Sequence, residues 1–446
     1  MPIVTRRAQP VLAVAIAGLC MVAAPWGAAA ATSSPSDPLF GDGSQWALTG
    51  AAASIAAPPA WCAGTGSGVL VADVDTGVDF GHPDLAGKLV AGARFTNGDG
   101  NPSGSGQAAV QDDNGHGTMT SGIVAANTNN GRGIAAVAPG ARVLAVKVLT
   151  DAGDGSGRAS GYDNDVAAGI KYAVNAGARV INLSIGPDVP LTGASLVSSI
   201  PAAIQYAWNH NVIVAVAAGN SSLPTSSYPD VAPYSLVVGA LGRDAVPAYY
   251  SNSLVGVNIY APGGDSTGGN DSRHLVISTF RGGGYVAEQG TSFAAPQAAG
   301  VLALLIGRGY SAAGARQAVL GSAVSRNGHP DLDAAAALGV APTASCGGQP
   351  ATGAPPARAG STARAGAATP AAVAGATPAV TPGGSPSSST TPGQGLAAQA
   401  NGAAGPGATP GVATTGSRGG WAPLVAVLVV VAVGVSAGAY LRRRRT

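Results

Sequence analysis

Charge is scarce in this sequence. Lys, Arg, Asp and Glu make up 10% of its 446 residues, where average globular chains carry about 25%. The net charge is +2, too small to point to nucleic acid or any other polyanionic partner. Cysteine is nearly absent, with three in the chain. Cys20 falls in an N-terminal segment destined for removal, so Cys62 and Cys346 can form at most one bridge. An exported chain with two cysteines favours that bridge. Histidine is sparse as well, and of His82, His116, His210, His274 and His329 only His116 stands between two glycines.

Residues 347–420 lack large apolar side chains almost entirely, being mostly Ala, Pro, Gly, Ser and Thr. Such a tract cannot bury enough surface to offset its chain entropy. It reads as a disordered stalk with an r.m.s. reach of about 50 Å.

Both ends of the chain are legible. Arg6 and Arg7, the apolar residues 11–24 and the small residues Ala28-Ala29-Ala30-Ala31 form a secretory signal over residues 1–31. Residues 421–441 contain an uncharged run long enough to cross a hydrocarbon core of about 30 Å. Residues 442–445 are all arginine and should remain cytoplasmic. The expected layout is therefore a single-pass type I protein of the cell membrane, with residues 32–346 an extracellular domain and residues 442–446 a cytoplasmic tail. A monomer is expected.

Residues 69–74 read as a buried parallel strand that ends in Asp75 and the Thr76-Gly77 turn. Residues 118–126 read as a helix opened by His116. Beyond it, strands over 142–148, 179–185 and 212–217 alternate with helices over 163–176 and 196–210. This rhythm implies a three-layer α/β domain, with a mainly parallel sheet and helices on both faces. Helices over 311–325 and 331–338 should close it.

Gly290-Thr291-Ser292-Phe293-Ala294-Ala295-Pro296 follows a β-prone run and leads into the apolar residues 298–306. Ser292 then stands at a helix N-terminus, which favours developing negative charge. Thr291 or Ser292 as an ordinary N-cap explains the same residues. Pro296 fits the first helical turn.

An acid in Asp73-Val74-Asp75-Thr76-Gly77, a base in Gly115-His116-Gly117-Thr118 and a nucleophile in Gly290-Thr291-Ser292 follow the order Asp, His, Ser. The chain from about Asp37 to Leu338 resembles the subtilisin-like serine proteases, or subtilases, and most closely their thermitase-like branch. The resemblance implies a subtilisin-like fold and hydrolysis of polypeptide substrates by Asp75, His116 and Ser292, with no cofactor for catalysis. It also implies Asn220 as the oxyanion donor, and Ser184, Ile185, Gly186 and Gly219 as the segments that hold substrate. Asp37, Asp84 and Asn130 match a structural Ca²⁺ site of that branch, although Asp and Asn also populate turns.

Departures from the family pattern are Asp73, Met119, Phe293 and Gln297. Alternation along the strand places Asp73 on the same face as Asp75, where one carboxyl raises the pKa of the other or Asp73 finds a partner of its own. The short interval between signal and domain leaves no room for a large folding-assistant propeptide. The anchored layout resembles the mycosins of type VII secretion, so service to a secretion machinery is an alternative role. A catalytically weak surface binding module is another.

Overall fold

The structure is a computed structural model that describes residues 34–186, 199–344 and 395–398. The signal segment, most of the stalk, the apolar run at 421–441 and Cys346 lie outside those residues. Among the described residues, no single helix is long and apolar enough to cross a membrane.

The domain is built on a ten-stranded sheet. Its strands are β1 (Leu70–Asp75), β2 (Leu89–Arg94), β3 (Gly104–Ser105), β4 (Arg142–Lys147), β5 (Val180–Leu183) and β6 (Ile213–Ala217). They continue with β7 (Leu236–Leu241) and β8 (Ile259–Pro262); β9 (Val276–Phe280) and β10 (Gly284–Glu288) form a separate antiparallel hairpin. The last two sheet strands are β11 (Val324–Arg326) and β12 (His329–Asp331). Across the sheet the order is β11-β12-β8-β7-β6-β5-β1-β4-β2-β3. Every neighbouring pair is parallel except those at the two edges, β2–β3 and β11–β12.

Parallel strands covered on both faces should be apolar throughout. All of β6 and β7 is indeed buried. Helix α1 (His116–Ala125) and helix α4 (Thr291–Gly307) share one face, and α2 (Asp163–Asn175) and α3 (Ser199–Asn209) cover the other. Alternation on β1 fixes which is which. Asp73 is bonded by α1 residues, whereas Val74 faces Gly169 of α2. A Cβ at Gly169 would press on Val148 and Val146, so glycine lets α2 lie close to the sheet. α4 is buried from Thr291 to Ile306 and forms the centre of the core.

Two expectations are corrected. The helix α5 (Ala312–Gly321) stops short of 325, and residues 331–338 hold only a single turn, Ala334–Ala337, after a strand residue. Between them lies a hairpin whose two-residue turn is Asn327-Gly328, with φ of 50° and 87°. Two positive φ values define a turn that matches strand twist, and Asn-Gly is its strongest sequence signal. Pro296 is the other correction. It lies inside α4 as the sixth residue, beyond the first turn, because the helix already begins at Thr291.

The sheet order reverses around β1, whose neighbours β5 and β4 lead to opposite edges. In open parallel sheets the crevice at such a reversal, outside the carboxyl ends of the strands, is where ligands bind. Asp75 ends β1, Ser184 follows β5, and Asn220 lies just past β6.

Candidate active site

Asp75 and His116 are both fully buried and face each other. The His116 Nδ1 lies 2.7 Å from Asp75 Oδ1 and 2.9 Å from Oδ2. The Thr76 N–H donates to Oδ1 at 2.7 Å. Burial alone would hold the imidazole pKa down, but the carboxylates of Asp75, Asp73 and Asp112 outweigh it and raise the pKa above its ordinary value. The other ring nitrogen, Nε2, is buried and has no hydrogen-bond partner among the described residues. The ring lies against Phe293, with centroids 5.7 Å apart.

What aims His116 is the loop before it. Asp112 accepts from Asn114 N–H at 3.0 Å, Gly115 N–H at 2.9 Å and Thr118 N–H at 3.0 Å. It also accepts from the hydroxyls of Thr76 at 2.8 Å and Thr118 at 2.5 Å. Thr76 Oγ1 in turn accepts from Gly117 N–H at 2.9 Å. This carboxylate organises the whole Gly-His-Gly segment and ties it to the turn after Asp75. Sequence reasoning passed over Asp112; the signal was an Asp opening a run of Asn and Gly, where such side chains bond nearby backbone N–H groups. Gly115 has φ of 118°, and any Cβ there would collide with the Phe280 ring.

Ser292 is the second residue of α4, and the N-cap position belongs to Gly290 with no side-chain cap. Neither Thr291 nor Ser292 is spent as a cap. The Ser292 hydroxyl donates to Ser184 C=O at 3.1 Å, and the Ser184 hydroxyl donates to Ser292 C=O at 2.8 Å. Thr291 donates to Asn220 Oδ1 twice, through N–H at 2.9 Å and through its hydroxyl at 2.8 Å. With Oδ1 held there, the Asn220 Nδ2 points the other way. The Gly219 N–H donates to Thr291 Oγ1 at 3.1 Å.

Ser184, Gly186, Gly219, Asn220, Ser227 and Ser292 line one cleft of about 240 Å³, counting its open mouth. Gly219 has φ of 106°, and a Cβ there would strike the side chains of Ser227 and Asn252. Ile185 also lines the cleft, although its side chain is 2% exposed. All four anticipated substrate residues, Ser184, Ile185, Gly186 and Gly219, thus line the cleft, and Ser184 is in addition bonded to Ser292. Met119 and Phe293 are buried in the core, and Gln297 is buried with an Oε1 that has no partner among the described residues.

Asp37, Asp84 and Asn130 come together away from this cleft. Asp37 accepts from the N–H groups of Asn129 at 2.7 Å and Asn130 at 3.1 Å. The Asn130 amide donates to Asp84 Oδ1 at 2.7 Å, and Ile134 N–H and Tyr285 hydroxyl donate to Oδ2. Both carboxyls are fully buried, and burial raises both pKa values. Neither forms an ion pair among the described residues. Two buried carboxyls without a cationic side chain, beside an amide and loop backbone, suit a hard cation. No cluster of three or more His, Cys, Asp or Glu suited to a metal occurs among the described residues.

Residues 66–351 match the Subtilase family, peptidase S8. The chain is 39% identical over 265 residues to thermitase of Thermoactinomyces vulgaris, covering 59% of this chain and 84% of that one. It is 39% identical over 253 residues to a thermophilic serine proteinase of Bacillus sp. (strain AK1), covering 57% and 56%. Among solved structures, a protease from Pseudoalteromonas arctica PAMC 21717 superposes with a TM-score of 0.60 at 30% identity, covering 69% of this chain and 99% of that one.

Proposed function

Because this chain belongs to the subtilase family of serine endopeptidases, we propose that Asp75, His116 and Ser292 are its catalytic triad, acting on polypeptides through an acyl-enzyme. The observation that carries this reading is the buried His116, held by Asp75 on Nδ1 and unpartnered on Nε2. In the first step the Ser292 oxygen bonds to the peptide carbonyl carbon as its proton passes to Nε2. Asp75 stabilises the imidazolium that forms. Collapse of the tetrahedral adduct breaks the C–N bond, and the same proton goes to the leaving amine. Water then repeats the sequence on the ester and frees Ser292.

Asn220 Nδ2 and the Ser292 N–H are assigned to the developing oxyanion. Loss of such an Asn donor costs about 10²–10³ in rate, a figure measured in a subtilase itself. Substrate backbone is assigned to the Ser184–Gly186 edge and the residue before the cleaved bond to the cleft floored by Gly186 and Gly219. No catalytic cofactor is required. Asp37, Asp84 and Asn130 would hold a Ca²⁺ that ties the segment at Asp37 to the loop at 129–134, a structural role only.

The enzyme is further proposed to be exported and anchored by residues 421–441, with the stalk holding the domain outside the membrane. Hydrolysis of a mixed peptide library by the full chain tests the central reading. The Ser292→Ala chain should cleave nothing; equal cleavage by both would refute it.

A further inference from the structure

Asp73 is buried to 1% exposure, and among the described residues the hydrogen bonds to its carboxyl come from neutral groups. Its Oδ2 accepts from the hydroxyls of Thr120 at 2.7 Å and Ser121 at 2.6 Å, on consecutive positions of α1. Its Oδ1 accepts from the Asn182 amide at 2.9 Å, on β5. The same Asn182 amide lies 3.0 Å from the Ser184 hydroxyl, which donates to the Ser292 C=O. A polar chain therefore runs from the helix that carries His116, through Asp73, to the segment that carries Ser292.

We propose that Asp73 is a positioning residue for peptide hydrolysis, whose buried carboxyl clamps α1 against β1 and β5 and acts through that helix on His116. This rests on the triad reading given above. The ionisable groups around Asp73 are few. Asp75 shares its strand, His116 lies on α1, Asp112 precedes α1, and Lys147 ends β4 opposite Asp75. Glu288 acts on His116 from β10. β5 and α4 offer only neutral groups.

Burial raises the Asp73 carboxyl and the Asp75 charge raises it further, while Ser121, Asn182 and Thr120 oppose them, leaving a pKa of about 7. The Asp73 charge in turn raises His116. An ionised Asp73 therefore favours the imidazolium.

Asp73→Asn removes the charge and keeps the shape. Its amide oxygen can accept from Asn182 and its NH₂ can donate to Thr120 and Ser121. The test follows the His116 imidazole resonance against pH in the full chain carrying Ser292→Ala, which prevents self-digestion. In parallel, the acid limb of kcat/KM is measured in the active chain. The expected result is a fall of about half a pH unit or more in both. A triple variant, Asp73→Val with Thr120→Val and Ser121→Ala, removes the acceptor together with both hydroxyls. It leaves the Asn182 amide without its Asp73 acceptor and so lowers the Tm, but it should show the same fall.

A His116 titration unmoved in both variants overturns the proposal. A fall in Tm for Asp73→Asn with unmoved His116 would reduce Asp73 to a structural role, which also overturns it. Failure of the triad reading looks different. The wild-type chain would then cleave no peptide, yet the imidazole resonance would still report the Asp73 charge.

Discussion

Ser184 and Ser292 exchange two hydrogen bonds, each hydroxyl donating to the other's carbonyl. The proline four residues beyond Ser292 makes this possible. Pro296 lies inside α4 and has no N–H to give the Ser292 C=O. The Ser184 hydroxyl takes that place, so a helix defect becomes the joint between the end of β5 and the nucleophile.

Replacing Ser184 by Ala should strand the buried Ser292 C=O and cost about 1–3 kcal/mol of stability. A lower kcat with little change in KM should accompany it. Adding Pro296→Ala restores an N–H to the helix and should recover part of the lost stability. Denaturant melts of the two single variants and the double variant check this; strict additivity would contradict the account.

Asp112→Ala should be more damaging than its distance from the cleft suggests. It leaves three N–H groups and two hydroxyls without their acceptor. A loss of about 3 kcal/mol or more is expected, together with a large fall in kcat/KM as the Gly-His-Gly segment loosens. Thermal melts and steady-state kinetics measure both. Asp112→Asn, which retains an acceptor oxygen, should fall between the wild type and Asp112→Ala.

How much of this was visible beforehand differs by residue. Asn220 is singled out only by the family resemblance, since Gly-Asn by itself is a turn signal. Asp75, His116 and Ser292 are legible because each sits in a short block at the end of a strand or the start of a helix. The βα rhythm is legible for the same reason. Asp112 and the Ser184–Ser292 joint were not, because both depend on which distant groups the sheet order brings together. The hairpin at Asn327-Gly328 was legible and was overridden by the helical run of alanines around it. Asp73 was half legible. Alternation placed it beside Asp75, but only packing of α1 reveals Thr120 and Ser121 as its partners.

Glu288 gives the fold a pH dependence of definite sign. It is 2% exposed, its Oε1 has no partner among the described residues, and burial pushes its pKa up to about 8 despite the pull of His116. The folded state thus holds its proton where the unfolded chain has already released it. The stability it contributes is complete below its unfolded pKa and declines as pH rises towards about 8. Glu288→Gln should flatten that decline, so that the variant gains on the wild type from pH 5 to pH 8 in a series of thermal melts. A constant gap across the series would contradict this.

A chelator should lower the Tm of the wild-type chain if Ca²⁺ joins Asp37, Asp84 and Asn130. Asp84→Asn should be less stable and insensitive to the chelator. Melting curves with and without excess Ca²⁺ read both effects, and an unchanged wild-type Tm would remove the cation from the account.

The most direct measurement is covalent labelling with a fluorophosphonate, followed by peptide mapping. The account predicts one adduct, on Ser292, absent from Ser292→Ala and strongly slowed in His116→Ala. It also predicts that the labelling rate rises with pH through the raised pKa of His116. An adduct on another residue, or an unchanged rate in His116→Ala, would contradict the claim that the Asp75–His116 pair activates Ser292.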